Sequence, residues 1–432
     1  MTPGGGASPR LRPATPAVEG TGRLRLLKGG RQQRPEPPGA RRKDRVSTRT
    51  AILGLTGALC SIGLVMVLSA SAYTSLQYYG SVWTIFERQV LWIALGAIAL
   101  ALAARFPYRH WRRARLLLLF GTMVLLLAVL IPGIGVTAGG SSRWIGFGQF
   151  RIQPSELMKL ALSVFAADLL ARRSDRVHEA RSVVAPLLVV LAVCAVLVLK
   201  QPDMGTALVL ACITFVLLYA GGVPLRPVLK AVAAVGVVGL IVGLAEPYRR
   251  ARLLSFLNPF AHAKGSGYQV VQSLVGLGSG HLYGLGLGGG REKWGLLPNA
   301  HTDFIFSVIG EEGGLVGTLF VLVLFAALAW YGVRAATRAP DRFGGLLAVA
   351  CTCWITSQAV INIGAVIGVL PVTGIPLPFI SFGGSSLVIT MVAAGILANV
   401  AAHERKPTLR SPGGPTARGS APGPSGRPLA RR

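Results

Sequence analysis

The stretch "AILGLTGALCSIGLVMVLSAS", residues 51–71, contains no charged side chain. A helix crossing a bilayer needs about 20 predominantly apolar residues at 1.5 Å of rise each, and this run meets that length. Outward from it, runs of the same kind recur as far as Ala401, in a chain of 432 residues that is 52% hydrophobic and only 14% charged. In hydrocarbon every backbone polar group must find its partner within the protein, and a helix does this within one segment. The sequence therefore predicts an all-α polytopic membrane protein. Ten spans are expected, at about 51–71, 84–104, 114–132, 155–171, 184–200, 205–221, 229–246, 303–330, 345–368 and 384–402. The fifth and sixth meet at the tight turn "KQPDMG", residues 200–205.

Ten is an even number, so both termini fall on one side. Arg and Lys collect on that side, in "RFPYRHWRRAR" (105–115), "ARRSDRVHEAR" (171–181), "RPVLK" (226–230) and "RAATRAPDR" (334–342). The positive-inside rule makes it the cytoplasm. The two tails, 1–50 and 403–432, are rich in Pro, Gly and Arg and lack the apolar residues needed to fold, so they are expected to be disordered. Much of the formal net charge of +28, from 44 basic and 16 acidic residues, lies in these tails. Next to a bilayer such tails fit anionic lipid better than nucleic acid, and no nucleic-acid role is expected. The first apolar run begins too late for a cleavable signal. Cys60, Cys194, Cys212, Cys351 and Cys353 all lie in apolar runs without metal-site spacing.

One outer loop departs from the charge rule. Residues 247–302 carry Arg249, Arg250, Arg252, Lys264, Arg291 and Lys293. Cations on the outer face point to an anion held there, although long loops also translocate regardless of charge. The loop includes "GLGSGHLYGLGLGGG" (276–290), whose glycines suit tight turns and close approach to the membrane, or backbone N–H groups offered to phosphate.

Acids are scarce, which makes "LPNAHTDFIFSVIGEEGG" (297–314) informative. Asp303 opens the eighth span after His301 and Thr302, where it is either a helix-start acid or a catalytic group facing the basic loop. Glu311 is eight residues further on, about 12 Å deeper along a helix, and too far to form a hydrolase pair with Asp303. Glu311 and Glu312 fit structural support or the lining of a hydrated cavity. In "QPSELMK" (153–159), Glu156 and Lys159 share one helix face and can pair, with Arg143 approaching from the preceding loop. Asp203 reads as an acid at a helix start.

Taken in order, "SSRWIGFGQFRIQPSELMK", "QPDMGTA", "YRRARLLSFLNP", "GYQVVQS", "LPNAHTDFIFSVIGEEGG" and "LPVTGIPLPFISFGGSS" resemble the SEDS family of cell-wall proteins (shape, elongation, division and sporulation). The likeness covers about residues 50 to 402. It is closer to the cell-division branch than to the elongation branch, with departures at Gly290 and Glu292. The resemblance implies a peptidoglycan glycosyltransferase that polymerises lipid II at the outer face of the cytoplasmic membrane during septal wall synthesis. It puts the family's catalytic aspartate on Asp303, its embedded polar pair on Glu156 and Lys159, and its loop arginine on Arg143. Asp303 would act as base in an inverting transfer. Arg249, Arg252, Lys293 and His301 complete the expected substrate-binding set, with a divalent cation (Mg or Mn) as a candidate helper at the diphosphate. The expected partners are lipid II, a class B penicillin-binding transpeptidase and other division proteins. The alternatives are a lipid II flippase, an elongation-branch polymerase, and a non-enzymatic division scaffold.

Overall fold

The computed structural model describes residues 47–138, 141–148, 150–176 and 179–404. The two basic tails lie almost wholly outside the described residues. Among the described residues, seven helices are long and apolar enough to cross a membrane. They are α1 (Thr48–Tyr79), α2 (Thr84–Arg105), α6 (Ala180–Leu199), α8 (Leu225–Ala245), α11 (Ile305–Thr337), α12 (Arg342–Val366) and α13 (Ser385–Ala402). Two more apolar helices are shorter, α4 (Arg115–Val129) and α7 (Met204–Ala220). Between them, α5 (Pro154–Arg172) is almost entirely buried although it carries Glu156, Lys159 and Asp168. The remaining helices are α3 (Arg109–Arg113), α9 (Pro247–Leu257) and α10 (Tyr268–Ser279).

Local chemistry sets several helix starts. Ser47 accepts from Thr50 N at 3.1 Å, Asp203 from Thr206 N at 3.1 Å, and Asp341 from Gly344 N at 2.8 Å, each satisfying an otherwise orphaned donor. Pro154 sits in the first turn of α5, where its missing N–H costs nothing. Of the seven long apolar helices, α13 and α12 are the most buried and α8 the least. The core runs along α13 against α2 and α1, along α11 against α1 and α12, and along α5 against α4, α7 and α12.

Three departures from the sequence expectation matter. First, the fold is not purely helical. Residues expected to form a loop at 133–154 hold a small antiparallel sheet in the order β1 (Val136–Ala138), β2 (Ser141–Phe147), β3 (Phe150–Ile152). The pairs Ile145↔Ile152 and Phe147↔Phe150 close a hairpin around Gly148, whose φ of 61° suits its turn. Second, Asp303 does not lie in the first turn of its span, because α11 begins at Ile305.

Third, α11 is broken. Gly314 has φ 66° and ψ −163°, so residues 305–313 and 315–337 are separate helical segments. A break at membrane depth frees backbone groups that lipid cannot satisfy. The glycine-rich chain supplies the partners: Leu315 N donates to His281 O at 3.0 Å, Val316 N to Leu282 O at 3.2 Å, and Leu285 N to Glu311 O at 2.9 Å. Approach this close needs glycine. A Cβ on Gly284 would stand 2.1 Å from Glu312 O. Of the two readings of the glycine series, close packing is the one the contacts carry.

Candidate active site

Asp303 lies in the turn 299–304, which curls because Thr302 N and Phe304 N both donate to Asn299 O, at 3.1 and 3.3 Å. This turn is fastened to the irregular chain 371–384 between α12 and α13. Phe382 N donates to His301 O at 3.0 Å, and Ser381 Oγ donates to Thr302 O at 2.6 Å. Asn362 Nδ2, on α12, donates both to Asp303 O at 2.7 Å and to Ile375 O at 2.8 Å. The 371–384 chain is itself deeply set: Ile375, Leu377, Phe379 and Ile380 are buried, and Gly63 of α1 packs directly on the Ile380 backbone. Irregular backbone at that depth is tolerated only where protein satisfies it, and Asn362, Gln358 and Ser381 do so here.

The carboxyl of Asp303 is half-buried but set deep within the protein. Burial raises its pKa from 3.8 to about 6; the charges of Arg252 and Arg143 pull it down, and Asp203 pushes it up. A carboxylate so placed is ionised at neutral pH yet basic enough to accept a proton. His301, two residues earlier, is driven by burial down to about 4. It is therefore a neutral imidazole beside Asp303, tilted at 55° to the Phe382 ring with centroids 5.9 Å apart, and not a cation.

The structure gathers some of the expected residues around Asp303 and leaves others out. Arg252, on α9, lines a cleft with Pro202, Met204, Val372 and Thr373, and donates to Val372 O at 3.4 Å. Arg143, on β2, donates from Nε to Gln201 O at 2.9 Å and from Nη2 to Pro202 O. It thus braces the turn into α7 and does not join Glu156, as its place in sequence suggested. Asp203 caps α7 and accepts from Gln153 Nε2 at 3.0 Å and Ser155 Oγ at 3.1 Å. Arg249 is on α9, but its side chain lies outside the described residues. Lys293 is no member of this group. It is buried and pairs with Glu312 at 2.7 Å, with Ser69 Oγ bonded to both. Glu311 accepts the backbone N–H groups of Arg291 (2.6 Å) and Glu292 (3.3 Å), so both adjacent glutamates hold the loop against the broken helix.

Glu156 and Lys159 do pair, Oε2 to Nζ at 2.7 Å, each only 1% exposed. Ser386 Oγ donates to Glu156 at 2.9 Å, and Lys159 donates to Gln358 Oε1 at 2.7 Å above the Trp354 ring. Both side chains are thus enclosed by protein. Sequence reasoning missed Gln358 and Asn362. The available signal was two amides four residues apart inside an apolar run, "SQAVIN" (357–362), hence on one helix face.

Among the described residues, no group of three His, Cys, Asp or Glu side chains could hold a metal ion. Both oxygens of Asp203, the carboxylate whose charge acts on Asp303, already accept from protein donors. The described residues around Asp303 do not form a protein-built metal site.

Comparison with known proteins agrees with these motifs. The profile of the FtsW/RodA/SpoVE family, described as "Cell cycle protein", matches residues 50–406. The chain is 43% identical over 353 residues to the "Probable peptidoglycan glycosyltransferase FtsW" of Mycobacterium tuberculosis, covering 82% of this chain and 67% of that one. It is 40% identical over 353 residues to "Stage V sporulation protein E" of Bacillus subtilis, covering 81% and 96%. Among solved structures, one described as "Structural coordination of polymerization and crosslinking by a peptidoglycan synthase complex" superposes with TM-score 0.69 at 27% identity, over 81% of this chain and 96% of that one. The rod shape determining protein RodA of Thermus thermophilus superposes with TM-score 0.61 at 26% identity, over 82% and 97%. From its motifs and these matches alike, the chain is a multi-pass membrane protein belonging to the FtsW/RodA/SpoVE family of cell cycle proteins.

Proposed function

We propose that this chain is a peptidoglycan glycosyltransferase that polymerises lipid II at the outer face of the cytoplasmic membrane, with Asp303 as its base. The observation that carries the reading is the Asp303 carboxyl itself, raised to about 6 by burial, fixed by its backbone, and facing the charges of two arginines. The acceptor's GlcNAc 4-hydroxyl gives its proton to Asp303 as its oxygen attacks the donor anomeric carbon. The bond from that carbon to the diphosphate breaks, the lipid diphosphate leaves, and the configuration inverts. A diphosphate needs charge stabilisation more than a strong general acid, so one carboxylate suffices. Of the cations expected to hold it, Arg252 is the best placed, on the cleft beside Asp303.

This reading places the ten spans, the cytoplasmic termini and the outward-facing loop 247–302 as the sequence predicts, with α4, α5 and α7 among the spans. It makes a class B transpeptidase the natural partner and the division septum the place of work. Transport of lipid II finds some support in the broken α11, since broken helices mark transporter sites. Here, however, the glycine loop takes up several of the freed backbone groups instead of leaving them to line a cavity.

The test is purified protein with labelled lipid II. Glycan strands from the parent and none from Asp303→Asn are expected. Parent-like synthesis by Asp303→Asn would remove the base, and lipid transfer across liposomes without strands would favour transport. In a cysteine-free background, Lys264→Cys should label from outside and Arg338→Cys only from the cytoplasm. The reverse pattern would overturn the orientation.

A further inference from the structure

Three residues on one face of α12, each a turn apart, reach outward in sequence: Trp354, Gln358 and Asn362. Trp354 Nε1 donates to Gln358 Oε1 at 3.0 Å, and Lys159 Nζ donates to the same oxygen. Gln358 Nε2 is then free to donate to Pro376 O, at 2.9 Å. The neighbouring carbonyl, Ile375 O, is taken by Asn362, whose amide also holds the carbonyl of Asp303. Both groups facing Asn362 Nδ2 are carbonyl acceptors, which fixes the orientation of the amide, since only its N–H groups can serve them. An unbroken buried line therefore runs from Ser386 through Glu156, Lys159 and Gln358, across one peptide of the 371–384 chain, to Asn362 and the backbone of Asp303.

Resting on the reading of Asp303 as the base, we propose that Asn362 is a positioning residue for the reaction: it sets where the carboxylate stands by holding the aspartate's own carbonyl. The Glu156–Lys159 pair serves the same end from behind, through Gln358, without touching substrate. The physical basis is that Asp303 has no helix to fix it. It precedes α11, and its backbone is fixed by a curled turn and by the bond from Asn362. Phe382 N and Ser381 tie down the preceding carbonyls of His301 and Thr302, so three consecutive carbonyls are clamped from outside the turn. A reacting carboxylate displaced by about 1 Å can lose on the order of a hundredfold in rate.

The plainer account is that Asn362 only satisfies carbonyls of a deeply set chain. The two accounts part in the pH profile. If Asn362 positions Asp303, loosening the turn both displaces the carboxyl and lets water reach it, so the acid limb of the rate profile moves toward lower pH. A merely structural residue would reduce the amount of folded enzyme and leave that limb in place.

The experiment compares the parent, Asn362→Leu, Gln358→Met and Asp303→Asn, each reconstituted in liposomes with labelled lipid II and each checked by thermal melting. For Asn362→Leu the expectation is a kcat lower by about 10- to 100-fold, an apparent KM within about twofold, and an acid limb shifted down. Gln358→Met should shift the limb the same way by less. Should Asn362→Leu melt below the assay temperature, Asn362→Ser, which keeps a donor too short to hold both carbonyls, carries the same expectation. A folded Asn362 variant with parent-like kcat, or with a lower kcat and an unmoved acid limb, would overturn the inference. An inactive Asp303→Asn beside parent-like Asn362 variants would sink this inference alone. An active Asp303→Asn would sink the base and this inference with it.

Discussion

Lys293 Nζ stands 2.7 Å from Glu312 Oε1, with the lysine side chain 6% exposed and the glutamate fully enclosed. The pair joins the loop after the glycine series to the first segment of α11, one residue short of the Gly313–Gly314 break. Removing one member leaves a buried charge without its partner, which costs about 3–5 kcal/mol. Lys293→Met should therefore lower the melting temperature sharply, and Lys293→Met with Glu312→Gln should regain much of it. A single variant that melts like the parent would show that the pair contributes nothing to holding the loop.

The rate of glycan synthesis should depend on a deprotonated Asp303. With its pKa raised to about 6, kcat/KM is expected to level off above about pH 7 and to fall about tenfold per unit below pH 6. Arg252→Gln removes the largest lowering influence, so the acid limb should move to higher pH. A limb that stays in place or moves down in Arg252→Gln would mean the guanidinium does not act on the carboxyl.

Glu292 is buried beside Glu311, and Oε2 has no partner among the described residues. Burial first, and the Glu311 charge second, raise its pKa from 4.5 to about 7. A raised carboxyl favours folding in its neutral form: that stability is fully present below about 4.5 and is lost as pH rises through about 7. Glu292→Gln, neutral at every pH, should melt like the parent at pH 5 and above it at pH 8. Melting curves that differ equally at both pH values would rule out this origin.

Glu156→Ala or Lys159→Ala should each destabilise severely, again by about 3–5 kcal/mol for the charge left behind. The double exchange Glu156→Lys with Lys159→Glu keeps the pair and should recover most of the melting temperature. It should not recover synthesis, because a carboxylate at position 159 needs a donor from Gln358 and takes the amide away from Pro376 O. Full recovery of both properties would make the pair structural only.

Gly314→Ala should be among the most damaging single-methyl changes in the chain. Its φ of 66° is unfavourable for alanine, and the added Cβ would lie 2.4 Å from Gly284 N. Strain of this kind costs about 1–3 kcal/mol before the clash is counted. The check is expression and melting against Gly313→Ala, where a Cβ meets nothing within 4 Å. Equal behaviour of the two would argue against a break at Gly314.

Much of the helical layout was legible because a bilayer demands long apolar runs: a helix stands at each expected place, and among the described residues seven of them are long and apolar enough to cross a membrane. The Glu156–Lys159 pair was legible because its spacing is local. Asp303 stood out because acids are rare beside apolar runs. What the sequence hid was pairing across distance. Lys293 looked like a free outer cation until Glu312 and Ser69, the latter 224 positions away, were seen around it. Arg143 looked bound for Glu156, yet the turn at Gln201 and Pro202 offers it two carbonyls. The break in α11 was hidden because "GEEGG" sits inside a run whose composition still reads as one span. The sheet at 136–152 was missed because its strands are of three and seven residues, too short for alternation to show.

The enclosure of the helices divides the labour at Asp303. Its backbone hangs from α12, among the most tightly surrounded helices, whereas Arg252 belongs to α9, which follows directly on α8, the least surrounded of the seven long apolar helices. The acid is thus held from the enclosed side of the protein, and its main counter-charge is carried on a helix that follows an exposed one. Any swing of α8 and α9 would carry the arginine off while the carboxylate stayed still. With Arg252 drawn away, the proton affinity of the Asp303 carboxylate would rise, because that guanidinium is the strongest of the charges that lower it.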